Sequence, residues 1–162
     1  ELGEIPSLFA FPYGETNEEI INLLKEYKFK VAFGQHSGVI NETSNFYYLP
    51  RFSLNEKYGA IDRVKFAANA KGLGIYDFIP KDPTIYDNPP FIGFSLLDEK
   101  LVPSIDCFVF DSKGEVAKEI FKFNERIEIR LTRKLTEGRS RMNCTAKGSD
   151  GLWRWFGHQF YL

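Results

Sequence analysis

Hydrophobic and polar positions change rhythm along the chain, from mixed strand and helix spacing in the first half to strict alternation in the second. Ser7 to Phe11 is an apolar run that predicts a short buried strand. Pro12-Tyr13-Gly14 ends it, with Gly14 supplying turn freedom. Thr16 followed by Glu19 has the spacing of a capping box. Ile20, Ile21, Leu23, Leu24 and Tyr27 then recur at helical spacing, which predicts a helix with one apolar face. Phe29 to Phe33 predicts a second strand, ended by Gly34. Residues 8–33 thus read as a β-turn-α-β unit, the building block of parallel sheets and α/β barrels. FYYLPRF (46–52) suggests a further strand, and DRVKFAANA (62–70) a short helix with Val64, Ala67 and Ala68 on one side.

Residues 78–91 carry four prolines and no periodicity, which marks a linker or a stiff domain-crossing segment. Beyond them the period is two. Ile127, Ile129 and Leu131 alternate with charged and polar residues, as do Met142, Cys144 and Ala146, the pattern of half-buried antiparallel strands. Residues 91–97, 104–110, 116–120 and 152–162 bring the strands to about six, with turn signals at DSKGE, TEGR and GSDG. The expected fold class is α+β: an incomplete (β/α) barrel segment at 1–75, a proline-rich linker at 76–90 and an antiparallel, immunoglobulin-like β-sandwich at 91–162. One β-α-β unit cannot close a barrel. It must pack on the sandwich, pair with a copy of itself, or belong to a larger domain.

Composition narrows the classes. The chain of 162 residues is 43% hydrophobic and 27% charged, as in a folded protein, and 16% aromatic, which favours β structure. A net charge of −1 carries no footprint for nucleic acid or an anionic membrane surface, and the apolar runs are too short to span a bilayer. The opening residues have neither an initiator Met nor a signal-peptide pattern, and the chain is expected to be a piece of a longer protein. The two cysteines, Cys107 and Cys144, show no zinc spacing. They read equally as buried thiols or as a disulfide between facing strands. His36 and His158 lie far apart in sequence.

Residues 9–40 and 47–70, with their FPYGE, FGQHSG and LPRF motifs, resemble the closing third of a polysaccharide deacetylase catalytic domain. Residues 138–162, with NCT and WRWFG, resemble the β module that follows that domain in some bacterial members. The resemblance implies removal of N- or O-acetyl groups from a polysaccharide, in the cell envelope or cytoplasm of a bacterium. It implies a divalent metal held by one Asp and two His, with a second Asp as base. It gives the backbone N–H of Tyr13 the role of oxyanion donor, with Pro12 and Gly14 shaping the turn.

The departures from the family are specific. Neither the Asp-Asp pair nor the His-x-x-x-His type motif is present, and Ala10 stands where the family has an Arg two residues before the Pro. His36 is the candidate for the general acid, and Arg51 for the missing Arg. No metal ligand is assigned here and no cofactor is expected in this chain. The metal belongs to the full-length enzyme, and these residues alone are expected to be inactive.

Plainer readings stand beside these. Pro12-Tyr13-Gly14 also serves as an ordinary strand-to-helix turn, and His36 as a loop histidine. Glu15, Glu18 and Glu19 suit a helix N-terminus. Trp153 and Trp155 share a strand face, as a sugar-stacking platform or as packing under the neighbouring segment, with Arg154, Phe156, His158 and Phe160 on the other face. The alternative function is a non-catalytic carbohydrate-binding or structural module. Asn41-Glu42-Thr43 and Asn143-Cys144-Thr145 match glycosylation sequons.

Overall fold

The structure is a computed structural model that describes residue 3 and residues 6–56 and 58–162. β1 (Leu8–Ala10) and β2 (Val31–Phe33) pair in parallel, with Phe9 opposite Ala32, and α1 (Glu18–Glu26) connects them. The strand expected over 46–52 contracts to one parallel bridge, Phe33 to Leu49, because Pro50 has no N–H with which to continue the ladder. α1 starts one residue later than the capping-box reading. Asn17 is the N-cap, its Oδ1 accepting the Ile20 N–H at 2.9 Å, while Thr16 is buried ahead of it.

Only Ile21 and Leu24 of the helical stripe are buried, in a small core with Phe11, Ala32 and Tyr48. Ile20, Leu23 and Tyr27 face outward. Among the described residues β1 has no partner but β2, so its other edge is open. α2 (Ile61–Asn69) buries none of its residues fully; Val64 and Ala67 are half-buried and Ala68 is exposed.

Nine further strands follow: β3 (Lys71–Gly72), β4 (Ile75–Ile79), β5 (Ile92–Leu96), β6 (Asp106–Asp111), β7 (Gly114–Val116), β8 (Lys118–Phe123), β9 (Arg126–Leu131), β10 (Arg139–Lys147) and β11 (Trp153–Tyr161). They form two sheets, ordered β3-β11-β10-β6-β7 and β4-β5-β9-β8. Alternation aims Phe94, Leu96, Ile127 and Ile129 from one sheet at Val109, Met142 and Phe160 from the other, and these make the main core. The fold is therefore mixed α+β, mostly sheet, with a β-sandwich.

The segment 76–90 is no free tether. It begins as β4, and beyond that Ile85 N–H donates to Tyr161 O at 2.7 Å and Tyr161 N–H to Pro83 O at 2.9 Å. Pro83 and Ile85 are buried, so burial fixes a stretch whose sequence lacks periodicity. The sandwich accordingly draws on residues from Lys71 onward, ahead of the boundaries expected at 75 and 90.

Cys107 and Cys144 sit opposite each other in β6 and β10 and are joined by a disulfide, closing the choice left by the sequence. The bond joins neighbours within one sheet, and both residues are fully buried. It closes a chain separation of 37 residues. Replacing both with alanine is expected to lower stability by about 4 kcal/mol through loop entropy. Urea unfolding of the oxidised protein against the double variant reads the difference, and equal midpoints would contradict it.

Candidate functional site

Parallel pairing sets the carboxyl ends of β1, β2 and the Leu49 bridge along one edge, and the loops leaving that edge carry the candidate residues. Pro12-Tyr13-Gly14 follows β1, His36 follows β2, and Arg51 follows Leu49. Sites in parallel sheets are built from such loops. The Arg51 N–H donates to the His36 carbonyl at 3.0 Å, so two of the three loops are stitched together. The Arg51 side chain is exposed.

The Pro12-Tyr13-Gly14 turn is a single 3-10 turn with Tyr13 in left-handed backbone at φ 56. A residue with a Cβ is strained there and needs surrounding contacts to stay. Gly14 also has positive φ, and a Cβ on it would lie 2.5 Å from the Gln35 nitrogen. The holding contacts come from the sandwich. The Tyr161 hydroxyl donates to the Gly14 carbonyl at 2.6 Å, and Arg139 Nη1 donates to the Tyr13 carbonyl at 3.1 Å. The Tyr48 hydroxyl reaches the same Gly14 oxygen at 3.4 Å. The Tyr13 ring stands in solvent, 71% exposed.

His36 is buried. Its ring lies 4.4 Å from that of Tyr48 and 6.3 Å from that of His158 on β11. Burial lowers His36 to about 3. Burial, followed by the nearby His36, holds His158 well below its ordinary range. Both rings are neutral at neutral pH, so His36 has no imidazolium proton to give as a general acid there. The approach is close: a Cβ on Gly157 would collide with the Ser37 carbonyl oxygen.

The two tryptophans part company. Trp155 donates from Nε1 to Asn143 Oδ1 at 3.1 Å and meets Phe52 and Phe66 edge-on, at 5.3 and 5.5 Å. Trp153, on the same face, is 40% exposed beside a shallow cleft against α2. Sequence reasoning missed Tyr48, Tyr161 and Arg139 as turn-holding residues, since no local pattern pairs positions some 35 to 150 apart in the chain.

Among the described residues no group of three or more His, Cys, Asp or Glu is placed to hold a metal. The imidazoles of His36 and His158 are packed among aromatic rings. These residues do not fit the Asp and two His that the resemblance implies, and no catalytic step is derived through a metal.

No protein-family profile and no curated protein matches the chain. Solved structures similar to part of it include CopC from Methylosinus trichosporium OB3b, 14% identical over 54% of this chain and 90% of that one, with a TM-score of 0.42. Another is the Lin-41 filamin domain, 18% identical over 44% of this chain and 71% of that one, with a TM-score of 0.33. Likenesses this distant bear on no functional point.

Two neutral buried histidines set a pH dependence. Their folded values are depressed, so above about pH 6.5 both states are neutral and nothing changes. Below it the unfolded chain takes up protons that the folded one refuses, and stability falls as pH drops. Two groups give a loss of about 2 kcal/mol between about pH 7 and pH 5.5. Asp111, held below the usual carboxylate range by hydrogen bonds from Arg133, adds its own loss only below about pH 4. Urea unfolding across this range measures the slope, and His36→Phe with His158→Phe should flatten it. A slope unchanged in that double variant would overturn the assignment.

Proposed function

We propose that this chain supplies the turn-bearing segment and an immunoglobulin-like β-sandwich module of a metal-dependent carbohydrate deacetylase, the metal ligands and catalytic base lying outside these 162 residues. The observation that carries the proposal is the Pro12-Tyr13-Gly14 turn, held in strained backbone at the carboxyl end of a parallel strand by hydrogen bonds to both the Tyr13 and Gly14 carbonyls. In acetyl hydrolysis, water adds to the acetyl carbon and the carbonyl oxygen takes up negative charge. The bond to the sugar nitrogen or oxygen then breaks, and acetate leaves. A backbone N–H fixed beforehand stabilises that oxygen without reorganising, and Tyr13 offers its own in this role.

The open edge of β1, on which Leu8 is exposed, agrees with a sheet that continues into further strands of an α/β barrel. The polysaccharide is the substrate, and this chain alone is inactive. The alternative, a binding module with a two-tryptophan platform, has less support because Trp155 is packed against Phe52 and Phe66.

The test is acetate release by the full-length protein from N-acetylglucosamine oligomers and from acetylated xylan. Release is expected from one of them, abolished by chelator. Gly14→Ala is expected to lower kcat about 100-fold, as loss of a preorganised oxyanion donor does. No release from either glycan, or a Gly14→Ala enzyme with full kcat, would overturn the reading.

A further inference from the structure

Arg139 and Arg141 stand two residues apart on β10 and so share one face of the strand, about 7 Å from each other along it. That face meets the α/β flank. Arg139 is half-buried and donates from Nη1 to the Tyr13 carbonyl at 3.1 Å, while Arg141 beside it is exposed. From α2, Arg63 lays its guanidinium over the Tyr58 ring at 5.0 Å. Among the described residues none of these three arginines forms an ion pair. Arg141 also makes no side-chain hydrogen bond within them. Tyr13 and Phe110 are exposed alongside, so the arginine pair is open to solvent.

The charges around this pair do not cancel. Partial burial, and after it Arg139, lowers the Arg141 guanidinium, and the other groups whose fields reach it are Tyr58 and Tyr161. Two acids stand off from it. Glu115 shares the cross-strand row but lies beyond Phe110 and pairs with Lys118 at 3.3 Å. Glu15 reaches Tyr161 and is not among the groups acting on Arg141. Like charges side by side repel, and partial burial removes water that would screen them. An oxyanion between them relieves that repulsion, and the planar fork of a guanidinium matches a carboxylate or phosphate with two parallel hydrogen bonds. We propose that Arg139 and Arg141, with Arg63 adding to the positive field, bind one oxyanion group, a carboxylate or a phosphate, beside the Pro12-Tyr13-Gly14 turn. The site asks for a negative charge that acetyl hydrolysis does not require, and it is measured by binding alone, so it does not rest on the deacetylase reading.

Titration of the 162-residue chain with citrate and with inorganic pyrophosphate, at an ionic strength held constant with sodium chloride, tests it. The readout is the NMR signals of the arginine Nε–H groups. Saturable shifts at Arg139 and Arg141, with a dissociation constant of about 1 mM or tighter, are expected for at least one anion. Tighter binding of pyrophosphate identifies a phosphate site, and tighter binding of citrate a carboxylate site. Arg141→Gln removes the charge at an exposed position, leaves the core untouched and is expected to weaken binding about tenfold. Arg130→Gln removes one positive charge from the other sheet, where Arg130 pairs with Glu128, and is expected to leave binding unchanged. No saturable binding of either anion, full binding by Arg141→Gln, or an equal loss in Arg130→Gln would overturn the proposal.

Discussion

The Tyr161 hydroxyl and the Gly14 carbonyl, 2.6 Å apart, join a strained turn to the last strand of the sandwich. β1 and β2 have a small core of their own, too small to hold Tyr13 in left-handed backbone without help. Help arrives from β10 and β11, through Arg139 to one carbonyl of the turn and Tyr161 to the next. Rigidity at the turn is thus a property of the two halves together. The sandwich, built around Phe94, Ile127, Ile129 and Phe160 and stapled by Cys107–Cys144, is the platform on which that rigidity rests.

The same seam carries most of the unsatisfied polar groups of the core. Gln159 is fully buried beneath Gly14 with neither side-chain atom hydrogen-bonded among the described residues, and Ser140 Oγ, His36 Nδ1 and His158 Nε2 share that condition. Each such group costs about 1–3 kcal/mol against a satisfied one. A seam selected for stability alone would be lined with aliphatic side chains. This one is tightly packed where Gly157 meets Ser37, and an opening of about 410 Å³ lies a few residues away between the 36–50 loops and the sandwich.

The sequence determined what local spacing can determine. Alternation at 126–131 and 139–147 gave strands whose buried residues are the ones the pattern assigned, and the helical repeat at 20–27 gave α1. It also put Phe156, His158 and Phe160 together on one face of β11, and Phe156 and Phe160 join the main core there. Its errors came where neighbours override spacing. Asn17 displaced Thr16 as the cap, and Pro50 cut the 46–52 strand to a bridge, while hydrogen bonds between Tyr161 and Pro83–Ile85 fasten the proline-rich segment to the last strand. The seam was beyond reach for another reason. Which tyrosine meets Gly14, whether the two cysteines pair and how deep His36 lies depend on distances between segments far apart in the chain, and only the packing of flank on sandwich decided them, because side-chain periodicity fixes a face but not what that face meets.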